Sequence, residues 1–161
     1  MAPKVNPIPQ GYHTITPSLV VQGGAKALEF YQKAFGAEET LRMPGPGGTI
    51  MHAEFRIGDS VLMLMDEMPD MGSKSPKALG GTSVGFYVYV ENVDAAWKRA
   101  VDAGAKQVMP LQDMFWGDRT GCVEDPFGHK WNLATRKENL TPEEIKKRAG
   151  AFLAQMALQA R

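Results

Sequence analysis

The chain reads as an α+β protein, two tandem βαβββ modules followed by a C-terminal helix. Three observations predict this. LVVQGGAKALEFYQKAFGAEE, beginning at Leu19, returns as VYVENVDAAWKRAVDAGAKQ, beginning at Val88, an offset of 69 residues. The offset carries Val21 onto Val90, Ala27 onto Ala96 and Leu28 onto Trp97, before a one-residue deletion brings Gly36 onto Gly104. Each copy runs from an apolar strand through a turn into an amphipathic helix, and short apolar runs of strand length follow it. A last segment, with Ile145, Ala149, Phe152, Leu153, Met156 and Ala157 at helical spacing, has no counterpart in the first copy. A half of about 60 residues has a poor ratio of core to surface. Each copy should therefore need the other, and a cleft between paired halves is a natural place for a ligand.

The elements follow in order. Residues 1–11, with Pro3, Pro7, Pro9 and Gly11, lack periodicity and read as a flexible N-terminal arm. Module one spans 12–66, a linker 67–81, module two 82–136 and the terminal helical segment 137–161. In module one a strand is predicted over Thr14 to Val21, and Gly23-Gly24 turns into a helix over Ala25 to Phe35. Gly36 stops that helix because glycine enters the left-handed conformation without a Cβ penalty. A short strand over Ala37 to Arg42 precedes the MPGPGG turn. A hairpin then runs from Ile50–Ile57 through Gly58-Asp59 to Val61–Met65. The linker, MPDMGSKSPKALGG, is too polar and broken for a packed element. Module two repeats the plan with strands at 83–90, 106–111, 120–124 and 130–135 and a helix over Val93 to Ala103. Thr141-Pro142-Glu143-Glu144 opens the last helix with an N-cap, a first-turn proline and first-turn acids. Its apolar face should cover a sheet edge of its own module or pack on a second subunit.

Composition narrows the function. Eighteen Lys plus Arg balance eighteen Asp plus Glu, so no excess positive charge is available to hold a phosphate backbone, and nucleic acid is not an expected partner. No segment approaches the roughly 20 apolar residues of a membrane span, and no signal-peptide core stands near the start, so a cytoplasmic protein is expected. The lone Cys122 has no neighbouring signal for activation and reads as an inert buried thiol.

LEFYQKAFGAEE, IMHAEFRIGDSVLMLMDE, FYVYVENVDAAWKRAVDAGA, DMFWGDRTG and EDPFGHKWNLAT together span most of Thr14 to Arg136. On these strings the chain resembles the glyoxalase, bleomycin-resistance and extradiol-dioxygenase (vicinal oxygen chelate) superfamily, and FWGDR followed by DPFGHKWNLAT points to its PhnB-like branch. The resemblance implies paired modules with curved sheets, commonly in a homodimer. It also implies four metal-ligand places, early in the first strand and within the last strand of each module. Here they hold Thr16, Met63, Gly85 and Asn132, and the repeat supports the placement because both pairs are 69 apart. Glycine has no donor, methionine is a soft thioether, and Thr and Asn are weak neutral donors. No divalent metal is expected at the family site, leaving only a site elsewhere.

Several residues remain as candidates for chemistry. His52 and Glu54 share one strand face and form either an acid/base pair, part of a relocated metal site, or a hydrogen-bonded surface pair. Phe115 and Trp116 can wall a planar ligand while Arg119 holds its carboxylate or phosphate. Alternatively Asp118 and Arg119 close the loop and Trp116 is core. Met63, Phe86 and Asn132 complete the candidate binding set, with Met65 and Trp131 beside them in a pliable pocket or a methionine-rich core. His129, in DPFGHKW, matches Ser60 by the repeat and reads as a structural polar group. Two functions stay open: metal-independent sequestration of a small amphiphilic ligand, or a lyase, isomerase or glyoxalase-like enzyme with His52 as base and Glu54 orienting it.

Overall fold

The structure is a computed structural model that describes residues 5–159, so the first four residues of the arm and the last two of the C-terminal segment lie outside it. Module one contains β1 (Ser18–Val21), α1 (Gly24–Phe35), β2 (Glu38–Pro44), β3 (Ile50–Ile57) and β4 (Ser60–Asp66). Module two repeats them. Past a single-turn α2 (Pro76–Leu79) come β5 (Gly85–Tyr89), α3 (Val93–Asp102), β6 (Lys106–Asp113), β7 (Asp118–Glu124) and β8 (Lys130–Arg136), before α4 (Pro142–Gln159). The sheets have the same order, β1-β4-β3-β2 and β5-β8-β7-β6. In each, the first strand is parallel to the last and the other neighbours are antiparallel.

The repeat holds down to the register. Ser18 lies opposite Met63, and their counterparts 69 residues on, Tyr87 and Asn132, lie opposite each other. Between β3 and β7 the displacement is one residue shorter: Glu54 faces Met63 whereas Cys122 faces Asn132. That is the deletion at the Gly36/Gly104 helix exit carried forward. The β7–β8 turn restores it, being one residue longer than Gly58-Asp59 and closed by the Asp125 N–H donating to the His129 carbonyl at 2.9 Å.

The predicted apolar face of α1 is buried at Ala27, Leu28, Tyr31, Ala34 and Phe35. Gly36 ends the helix at φ 68° with its N–H on the Gln32 carbonyl. This face packs on its own sheet and also on module two. Tyr31 stacks on Phe55 with centroids 5.3 Å apart and lies 5.4 Å from Trp131, Phe35 lies 4.7 Å from Trp131, and Arg99 Nε donates to the Ala34 carbonyl at 2.9 Å. The helix-covered faces of both sheets thus turn inward onto one shared core. Because strand residues alternate, the other two faces look outward, away from each other.

Two regions differ from expectation. The linker is not structureless: Ser75, fully buried, caps α2 by accepting from the Ala78 N–H, with Pro76 at the first helical position and Gly80 after the end. That Ser-Pro start and glycine stop are readable signals. The terminal helix does not take the first of its two expected places, a sheet edge of its own module. Phe152, Leu153, Met156 and Leu158 are exposed, and the helix is tied to the body by Phe152 against Phe115, at 5.2 Å, and by Arg148 on Glu138. Among the described residues, no helix is long and apolar enough to cross a membrane.

Candidate functional site

On the outward face of module one, alternation from Thr16 through Ser18 and from Glu54 to Met63 on the paired strands brings Thr16, His52, Glu54 and Met63 onto one surface. His52 Nε2 lies 3.2 Å from Glu54 Oε1, so the predicted pair is in contact. The arm adds what sequence reasoning missed: the Tyr12 hydroxyl donates to Glu54 Oε2 across 42 residues of chain. The Tyr12 and His52 hydrogen bonds hold the Glu54 carboxyl below its ordinary range, and the same bond to Glu54 raises the Tyr12 phenol. Pro7, Ile8, Pro9, Tyr12, Thr16, Glu54 and Met63 line a cleft of about 630 Å³ under the arm. Tyr12 gave only a weak signal, an aromatic residue where a proline-rich stretch ends.

The outward face of module two is built differently. At the places of His52 and Glu54 stand Thr120 and Cys122, both buried, and burial pushes the Cys122 thiol up. Its polar centre is Asp118, whose Oδ2 accepts from Tyr87 at 3.1 Å, Tyr89 at 2.9 Å and Trp116 Nε1 at 3.1 Å. Trp116 is therefore pinned to Asp118, with Phe115 edge-on at 4.9 Å. Gly85 and Asn132 are neighbours here, and Asn132 donates to the Phe86 carbonyl at 3.3 Å.

The remaining candidates lie elsewhere. Arg119 does not reach the outward cleft. It is one residue on from Asp118, so alternation turns it to the helix side, where it forks onto Asp94 at 2.7–3.1 Å and reaches Asp113 at 3.3 Å. These two acids hold its guanidinium above its ordinary range. Phe86 also faces the helix side, 4.5 Å from the buried Trp131. It shares no pocket with Met63, and the pocket imagined from Met63, Met65, Phe86 and Trp131 does not form because the register divides these residues between two faces. His129 is buried, with Nδ1 3.6 Å from Asp125 Oδ2, too long for a hydrogen bond. Asp125 is the polar knot of the core. Its oxygens accept from Tyr31 at 2.8 Å, Trp131 Nε1 at 2.9 Å and the Phe127 and His129 N–H groups at 2.8 and 2.9 Å.

Two βαβββ units in the same strand order, with open sheet faces, define the class: paired-module proteins. Residues 12–133 match the model of the Glyoxalase/Bleomycin resistance protein/Dioxygenase superfamily, and the chain belongs to that superfamily. The Mycobacterium bovis protein Mb0911c is 47% identical over 134 residues, covering 81% of this chain and 88% of that one. TioX from Micromonospora sp. ML1 is 29% identical with a TM-score of 0.60, covering 77% of this chain and 98% of its own. The PhnB protein of Bacillus cereus shares the fold at 22% identity and a TM-score of 0.60, over 76% of this chain and 99% of that one.

The residues present do not fit the divalent metal that the superfamily implies. Thr16 and Met63 share one face and Gly85 and Asn132 the other, and none offers an imidazole or carboxylate. His52 and Glu54 are two donors without a third: among the described residues, no group of three or more His, Cys, Asp or Glu side chains is placed to hold an ion.

Proposed function

We propose that this protein is a metal-independent small-molecule binder of its superfamily, acting by sequestration. The observation that carries the reading is the cleft on module one, where two of the superfamily's ligand places, Thr16 and Met63, line an apolar-walled space instead of forming a metal site. Loss of donors beside an intact cleft favours holding a ligand over polarising one. The outward faces of one chain point apart, so a second copy is needed to close each cleft, placing one protomer's Thr16 and Met63 opposite its partner's module two face. A homodimer is therefore part of the proposal, and the exposed Tyr87, Tyr89, Phe152 and Met156 support it.

The test is a thermal-shift screen of amphiphilic small molecules on purified protein in chelator, with metal analysis and light scattering of the same sample. A dimer without stoichiometric Ni, Zn, Mn or Fe, stabilised by a ligand in chelator, is the expected result. A stoichiometric ion whose removal abolishes binding, or a monomer at high micromolar concentration that still binds fully, overturns it.

A second reading is supported by the His52–Glu54 contact. His52 oriented by Glu54 has the geometry of a general base, and the enzyme would be a lyase, isomerase or glyoxalase-like catalyst. Turnover abolished by His52→Ala with binding retained would establish it in place of sequestration.

A further inference from the structure

We infer that the cleft of module one takes the cationic end, an alkylammonium or guanidinium group, of an amphiphilic ligand, and that Tyr12 of the arm is a binding residue there. The inference rests on the proposal that this cleft holds a small molecule, and it adds the ligand's charge.

Glu54 is the one carboxylate lining the cleft, its side chain 20% exposed, and no lysine or arginine lines it among the described residues. The nearest cation on the same strand face, Arg56, is tied to Glu38 at 2.7 Å. Arg119, the residue that suggested an anionic ligand, is bound to two aspartates on the opposite face. The other titratable groups at the cleft are His52, in contact with Glu54, and His13, whose ring lies 3.9 Å from Asp59. A carboxylate has about four acceptor positions, and Glu54 uses one for Tyr12 and one for His52. It therefore keeps capacity for a donor from the ligand while its two partners hold it in place.

The walls suit the rest of such a molecule. Pro7, Ile8, Pro9 and Met63 supply apolar surface, and the Tyr12 ring stands beside the carboxylate, where an aromatic face attracts a cation. The Tyr12–Glu54 bond also staples the arm over the cleft, so one hydroxyl both orders the roof and positions the charge. Within one protomer, an anionic head would meet Glu54 with no lysine or arginine among the described lining residues to offset it.

The experiment uses three matched probes, 4-phenylbutylammonium, 4-phenylbutanol and 4-phenylbutanoate, titrated into full-length protein carrying methyl-labelled methionine. The Met63 signal is assigned by its loss in Met63→Leu. The ammonium probe is expected to bind at least about tenfold more tightly than the other two and to shift the Met63 methyl, one tenfold step being a modest charge-assisted bond. Glu54→Gln should remove the preference, and Tyr12→Phe, which keeps the ring and removes the staple, should weaken ammonium binding several-fold. Circular dichroism should be unchanged in both variants because the two side chains lie outside the core. Equal or tighter binding of the alcohol or carboxylate with the Met63 methyl shifted overturns the charge assignment and leaves the binding role intact, while ammonium binding that leaves Met63 unmoved places the ligand elsewhere and overturns both. Failure of all three probes to bind overturns both.

Discussion

The two modules are copies in backbone and opposites in polar chemistry. Their registers coincide pair by pair across β1-β4-β3 and β5-β8-β7, yet the outward face of module one carries a part-buried cluster, Tyr12–Glu54–His52, where module two buries Thr120 and Cys122. The helix start shows the same divergence on a smaller scale. At the end of β4, Asp66 Oδ1 accepts from the Gly23 and Gly24 N–H groups at 2.7 and 2.9 Å, and its Oδ2 accepts from the Ile50 N–H at 2.7 Å. Its counterpart Thr135 accepts from the Val93 N–H at 2.9 Å and donates to the Val90 carbonyl at 2.7 Å. One position caps the helix in both halves, by a carboxylate in one and a hydroxyl in the other. Gly24 fits this arrangement because a Cβ there would sit 2.9 Å from Asp66 Oδ2; Val93, whose N–H meets the Thr135 hydroxyl, is buried in the core. Backbone hydrogen bonding conserved the frame, while side chains off the ladder diverged.

The sharpest break in the symmetry is Asp125, in the turn that is one residue longer in module two. Asp125→Ala should produce the largest effect, a loss of about 3–5 kcal/mol, because several buried donors lose one acceptor together; denaturant unfolding measures it. Asp66→Ala, which removes the buried carboxylate at the end of β4 in module one, should cost less, about 2–3 kcal/mol, since it leaves three N–H groups where Asp125 leaves four donors. A larger loss for Asp66→Ala would show that capping, not the module junction, dominates stability. Tyr31→Phe removes the hydroxyl that crosses between modules to Asp125 and should cost about 1.5–3 kcal/mol, the value for a hydrogen bond to a charged acceptor.

Acid should act through the same group. Burial raises the Asp125 carboxyl, but the His129 ring beside it and the hydrogen bonds from Trp131 and the His129 N–H outweigh that, leaving it below its ordinary value. A depressed folded-state pKa means stability fully present above the unfolded value, about 4, and lost as pH falls through the folded value. Wild type should therefore lose its margin over Asp125→Asn as pH drops below about 4, followed by unfolding free energies across an acid series. A constant margin would remove Asp125 from the acid response. The smallest effect is expected at Arg119: its fork to Asp94 and Asp113 is solvent-exposed on the acids' side, so Arg119→Ala should leave the denaturation midpoint and ligand affinity nearly unchanged. A clear loss of affinity would return this residue to the site.

Much of this was legible in the chain itself. The repeat, the strand order within each copy, the α1 face from Ala27 to Phe35 and the Gly36 stop all follow from local periodicity and from glycine's conformational freedom. So does the poverty of donors at Thr16, Met63, Gly85 and Asn132, because residue identity at a register position is a sequence property. What only the tertiary structure decided is partnership over long separations. Tyr12 meets Glu54 across 42 residues, Arg119 meets Asp94 across 25, and Tyr31 meets Asp125 across 94. Whether Asp118 would bind its neighbour Arg119 or the more distant Tyr87 and Tyr89 turned on which sheet face each side chain occupies. Spacing alone does not set which faces turn inward when two modules pack through their helices. That packing put Trp131 in the core, sent Arg119 to the helix side and left the Glu54 cleft open. The physical reason is that periodicity is written in neighbouring residues, while burial and charge pairing depend on surfaces that meet only when the chain has folded.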